Sequence, residues 1–208
     1  MAYKIIVVGI GPGSPDYLPP VAQRAIDQAK VLIGSQRALA TFASSEAEMR
    51  VIDKHLDELM AFIRRCLTES DVVIMVSGDP GFYSLLARLR LEFSPEELAV
   101  IPGISSMQVA FARVGCPWQD ATLVSLHGRE AAEDQLIYQP NKKIGVLTDA
   151  QHDPRHIARL LMSNGWPPET ATWLCRDLSY EDEQVLATTL VVAGEQQGYE
   201  HCVMVVTG

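Results

Sequence analysis

Short β-rich runs alternate with helically spaced stretches over the first hundred or so residues. That alternation constrains the fold more than any other feature. The runs are Lys4–Val8, Val31–Ile33, Arg50–Ile52, Val72–Val76 and Leu98–Ile101. Helices are expected near Val21–Ala29, Gln36–Phe42, Leu56–Thr68, Phe82–Leu89 and Ser105–Arg113. Leu56, Leu59, Met60, Ile63 and Leu67 form an apolar stripe at helical spacing, which reads as core packing. Strands alternating with helices imply a mostly parallel sheet covered on both faces.

At Gly115-Cys116-Pro117-Trp118 the rhythm pauses. Further strands are expected at Thr122–Leu126, Ile144–Thr148, Thr170–Leu174, Val185–Leu190 and Cys202–Val206. One clear helix, Pro154–Ser163, ends at Asn164-Gly165, a C-cap signal, with Pro167 just beyond. The run Glu183–Leu190 has no obvious flanking helices, so the second sheet is expected to be mixed. The 208 residues are long for one compact domain and short for two average ones. The expectation is an α/β chain of two domains, 1–117 with a parallel sheet and 118–208 with a mixed one.

Hydrophobic residues make up 48% of the chain, which supports a sizeable core and excludes global disorder. A formal net charge of −9 argues against a general nucleic-acid or membrane-surface binder. Local basic clusters still leave room for an acidic small molecule. Cys66, Cys116, Cys175 and Cys202 are scattered without a CxxC and read as reduced, mostly buried thiols. The opening MAYKIIVVGIG reads as a strand, not a signal peptide, and no apolar run is long enough to span a bilayer. A soluble, cytoplasmic protein is expected.

Ligands on open α/β sheets bind beyond the carboxyl ends of the strands. Gly9-Ile10-Gly11-Pro12-Gly13-Ser14 follows the first strand. A dinucleotide fingerprint needs G-x-G-x-x-G running into a helix. Here the third glycine comes one position early, and Pro12 and Pro15 carry no N–H to offer a phosphate. The acid that would hold a ribose after the second strand is missing: Ile33 runs into Gly34-Ser35-Gln36-Arg37. An NAD-dependent oxidoreductase is thereby disfavoured. Ser77-Gly78-Asp79-Pro80-Gly81-Phe82 follows the fourth strand, where Asp79 suits either a helix cap or a ligand contact. Pro102-Gly103-Ile104-Ser105-Ser106 follows the fifth, where Ser105 suits the same two roles.

GxGPG, SGDPG and PGISS, in that order on three strand ends, resemble the tetrapyrrole (corrin and porphyrin) methylases over essentially the whole chain. Ser125-Leu126-His127-Gly128-Arg129, Leu147-Thr148-Asp149 and Leu178-Ser179-Tyr180 resemble the branch that methylates C5 of the corrin ring. The first loop departs from the family's common GPGDPE, with Ser14 and Asp16 in place of Asp and Glu. The resemblance implies two α/β domains with the active site in the cleft between them, and S-adenosylmethionine as methyl donor. It maps cofactor contacts onto Pro12, Ser77, Gly78, Asp79, Phe82, Ser105, Ser106 and Thr148, with Cys175 or its neighbour. It also implies a homodimer and, in some relatives, a partner or fused domain that methylates C15 with decarboxylation.

A corrinoid substrate carries several carboxylates, and arginine pairs with them bidentately. Arg37 and Arg129 are the first basic candidates, with Lys142, Lys143 and Arg155 behind them. Asp16 and Asp149 are placed near the substrate, and Asp149 reads equally as a turn residue. His127, at a strand end, is the candidate to touch substrate or move a proton, against a structural role. His152 and His156 have H-x3-H spacing without an evident third ligand, and no metal site is expected. The rivals are methylation of another tetrapyrrole carbon, of diphthamide or of ribosomal RNA, and a non-catalytic protein that keeps the fold.

Overall fold

The computed structural model describes residues 3–43, 46–126 and 131–208. The chain forms two compact units, Met1–Ser105 and Ser106–Gly208.

The first unit runs β1 (Ile5–Gly9), α1 (Pro20–Asp27), β2 (Val31–Gly34), α2 (Gln36–Phe42), β3 (Glu48–Val51), α3 (Leu56–Cys66), β4 (Val72–Val76), α4 (Leu86–Glu92) and β5 (Leu98–Ile101). The strands are all parallel, in the order β3-β2-β4-β1-β5. Successive strand residues point to opposite faces, and both faces are apolar. Ile5, Val7, Ile33 and Ile74 pack with Leu59 and Ile63 of α3 and Leu89 of α4. Val8, Leu32, Val73 and Met75 pack on the other side with Ala22 and Ile26 of α1 and Ala38 and Leu39 of α2. This two-sided burial is why the strands read as unbroken apolar runs.

The expected helix at Phe82–Leu89 starts later, at Leu86. Tyr83 takes a left-handed φ of 49°, which a right-handed helix cannot include.

The second unit runs α5 (Ser106–Val114), β6 (Ala121–Ser125), α6 (Glu133–Leu136), β7 (Lys143–Leu147), α7 (Pro154–Ser163), β8 (Ala171–Arg176), β9 (Gln184–Thr189), α8 (Leu190–Ala193) and β10 (Cys202–Thr207). Its sheet is mixed, in the order β6-β7-β10-β8-β9, with β6 and β7 parallel and the remaining pairs antiparallel. One face buries Val124, Ile144, Val146, Leu174 and Met204 against Ile157, Ala158 and Leu161 of α7, Leu190 and Ala193 of α8, and Trp166. The Trp166 indole N–H donates to the Leu136 carbonyl at 2.7 Å.

On the other face α5 sits against β7 at a glycine. A Cβ added to Gly145 would lie 2.4 Å from Met107 Sδ and 2.8 Å from Phe111. The two units divide at Ser105/Ser106, and α5 buries its apolar side on the second sheet. Among the described residues, no helix is long and apolar enough to cross a membrane.

Candidate functional site

In the first unit β4, β1 and β5 are neighbours, and parallel pairing puts their carboxyl ends on one edge. The three glycine loops follow from those ends and are knitted together by backbone. Gly78 N–H donates to the Gly11 carbonyl at 2.8 Å, and Ile10 N–H to the Val76 carbonyl at 3.0 Å. Gly11 and Gly78 hold left-handed φ values of 79° and 69°, a region that suits glycine. A Cβ on Gly9 would come 2.6 Å from Gly103 N, and one on Gly103 only 2.3 Å from the Gly78 carbonyl oxygen. Gly9 and Gly103 thus let main chain approach main chain. The sequence reading missed that use; its signal is a glycine closing the first strand and another directly behind the fifth.

Asp79 completes the junction. Its Oδ1 accepts the Gly81 N–H at 2.7 Å and its Oδ2 the Gly103 N–H at 3.1 Å. With α4 starting at Leu86, Asp79 is not that helix's cap. Around it, Ser77 is exposed, while Pro12 and Phe82 are half-buried. The Phe82 ring meets Tyr83 edge-on at 4.8 Å. Ser105 is buried directly before α5. Asp16 is exposed in a single turn of 3-10 helix, Pro15–Tyr17, and its N–H reaches the Ser14 hydroxyl at 3.3 Å. Arg37 is exposed in the first turn of α2, just beyond the carboxyl end of β2. That turn is capped by Ser35, whose hydroxyl accepts the Ala38 N–H at 3.2 Å.

The second unit holds the remaining candidates. Ser106 is the first residue of α5. The buried Thr148 hydroxyl donates toward the carbonyls of Glu200 and Cys202, both at 3.0 Å, and accepts the Cys202 N–H at 2.7 Å. It fastens the end of β7 to the start of β10. Asp149 is also buried, and its Oδ1 accepts the N–H groups of Gln151 at 2.9 Å and His152 at 2.6 Å. These bonds make a tight turn at Asp149. Cys175 is buried in β8, and burial pushes its thiol up to about 12, with smaller contributions from Cys202 and Glu183. It is a neutral apolar surface, not a thiolate.

The basic residues behind Arg37 and Arg129 have internal partners. Lys142 Nζ donates to the carbonyls of Gln135 at 2.6 Å and Ile137 at 2.7 Å, and burial lowers its pKa. Lys143 pairs with Asp120 at 2.9 Å and Arg155 Nε with Asp153 at 2.7 Å. His127 and Arg129 lie outside the described residues. The His152 and His156 rings meet edge-on at 5.4 Å. Among the described residues, no three His, Cys, Asp or Glu side chains converge as metal ligands.

A parallel sheet with glycine loops knitted along its carboxyl edge, followed by a mixed-sheet unit, defines an open α/β ligand-binding protein. Residues 4–193 match the family described as Tetrapyrrole (Corrin/Porphyrin) Methylases. The chain belongs to that family. It is 33% identical over 192 residues to the probable cobalt-precorrin-7 C(5)-methyltransferase of Methanocaldococcus jannaschii, covering 89% of each chain. It is 36% identical over 161 residues to the cobalt-precorrin-7 C(5)-methyltransferase of Salmonella typhimurium, covering 77% of this chain and 79% of that one. Its fold resembles uroporphyrin-III C-methyl transferase from Thermus thermophilus complexed with S-adenyl homocysteine. There the TM-score is 0.77 at 22% identity, covering 98% of this chain and 91% of that one.

Proposed function

We propose that the protein transfers the methyl group of S-adenosylmethionine to C5 of a precorrin or cobalt-precorrin in cobalamin biosynthesis. The observation that carries this reading is the match to the two cobalt-precorrin-7 C(5)-methyltransferases across most of each chain. The site chemistry is consistent with it. The edge around Asp79 offers one carboxylate, the Ser77 hydroxyl, and the apolar surfaces of Pro12 and Phe82. An S-adenosyl nucleoside needs that mixture of hydrogen-bonding and apolar surface.

The donor supplies an already electrophilic methyl group. The remaining work is to hold the acceptor carbon in line and exclude water, and positioning alone can supply much of the acceleration. In this reading Gly78, Asp79, Ser77, Phe82, Pro12 and Ser105 form the first unit's share of the cofactor set. Ser106 and the surroundings of Thr148 and Cys175 form the second unit's share. The Thr148 hydroxyl and Asp149 Oδ1 also bind backbone and so shape their loops, and Asp149 is taken to face the substrate. Arg37 and Arg129 bind substrate carboxylates, Asp16 faces the ring, and His127 is the candidate proton carrier. The same reading takes the protein as a cytoplasmic homodimer, with C15 methylation left to a partner or a further domain.

The test is an assay of the purified protein with precorrin intermediates and carbon-labelled S-adenosylmethionine, read by NMR. Label at C5 is expected. Label at another carbon overturns the C5 assignment. Cofactor binding without transfer to any tetrapyrrole overturns the methylase reading itself.

A further inference from the structure

We propose that Asp79 is a positioning residue. It locks the loops after β4 and β5 in their ligand-holding arrangement before any ligand arrives, and its charge is not the partner of the donor's sulfonium. The proposal rests on the reading above, that these loops hold the methyl donor.

The geometry sets the role. β4 and β5 are not neighbours, because β1 lies between them. The Asp79 Oδ2 bond to Gly103 N–H at 3.1 Å therefore reaches across the end of β1. That end is Gly9, and it has no side chain to block the path. The other oxygen closes the chain on itself through Gly81 N–H at 2.7 Å. Gly103 is wedged so closely that a Cβ on it would strike the Gly78 carbonyl and the backbone of Gly9. An amide in so crowded a place needs an internal acceptor, and Asp79 supplies a charged one, which makes the stronger bond. Loops fixed in advance need no ordering when a ligand binds, which raises affinity.

The two possible roles of Asp79 predict different ligand responses. S-adenosylmethionine carries a sulfonium charge that S-adenosylhomocysteine lacks. A charge partner would discriminate between them, and a loop tie would not. Asp79→Asn keeps one acceptor oxygen but turns an NH2 against the second backbone amide. Calorimetry with both nucleotides should show the two dissociation constants rising by the same factor, roughly tenfold, which is about the strength of one lost charged hydrogen bond. Hydrogen exchange on the ligand-free protein should show the Gly103 amide slow in the parent and accelerated in the variant. The thermal midpoint should stay within about 3 °C of the parent's.

Weakened S-adenosylmethionine binding with unchanged S-adenosylhomocysteine binding overturns the proposal. So does a Gly103 amide that exchanges equally fast in both proteins. If Asp79→Asn does not fold, Asp79→Glu serves. It retains the charge on a longer arm, so a tie predicts equal weakening and a charge partner predicts retained preference for the cation. A parent that binds neither nucleotide yet protects Gly103 overturns the functional reading while the tie itself stands.

Discussion

Glycine does two separate jobs in this chain, and substitution separates them. Gly103→Ala would put a methyl 2.3 Å from the Gly78 carbonyl oxygen, against rigid main chain on two sides. Urea denaturation should show a loss of about 3 kcal/mol or more, the upper range for overpacking. Gly115 has φ 70° and nothing within 4 Å of a built Cβ, so Gly115→Ala should lose only about 1 kcal/mol, for backbone strain alone. The glycine-rich loops were visible in the sequence. Their partners were not, because Asp79 and Gly103 are 24 positions apart and meet only through the strand order. Lys142 was hidden for another reason: its acceptors, the carbonyls of Gln135 and Ile137, are only seven and five positions away, but a main-chain acceptor leaves no mark in the sequence.

Glu183 gives the residue scale a pH dependence. Its carboxyl is held below the usual carboxylate range by the Arg113 guanidinium, against some opposition from burial and with help from the Ser179 N–H. A depressed folded-state pKa stabilises above the unfolded value of 4.5, and that stability fades as pH falls through the folded value. Arg113 is 39% exposed, so solvent screening limits the pair to about 1 kcal/mol or less. Glu183→Gln should lower stability at pH 7 by that amount and flatten the acid-side loss. Denaturation midpoints at pH 7 and pH 4 would check both.

Elements differ in how openly the sequence declares them. α7 carries its own boundaries: Asp153 caps it, accepting the His156 N–H at 2.8 Å, and Pro154 opens its first turn. Asp153→Ala should cost about 1–2 kcal/mol, the usual value of a lost cap, measured by chemical denaturation. α8 declares nothing. Leu190–Ala193 continues the apolar, β-branched run of β9, so the sequence reads as strand until the chain bends. α4 starts late for a different reason. The residues before it are shaped by Asp79 and a left-handed Tyr83, and neither constraint is local propensity.

The whole molecule divides its spectroscopic signals unevenly. Trp118, Trp166 and Trp173 all lie beyond Ser105. Tryptophan fluorescence therefore follows the second unit alone, while far-ultraviolet circular dichroism follows both. Val205 lies in β10, the central strand of the second sheet, and proline there removes a ladder donor. Val205→Pro should lower the fluorescence midpoint and split it from the dichroism transition, breaking two-state behaviour. Coincident midpoints in the variant would show that the two units unfold as one.

The place of β10 also sets a timetable. β7 and β8 do not pair with each other; they are joined only through β10, which is made after both. During synthesis the first sheet has all its strands once residue 101 has emerged. The second waits for residue 207, with two pairs of strands standing apart and their inner edges open. A newborn chain spends that interval with one half finished and the other exposed, and that is when a chaperone would find it.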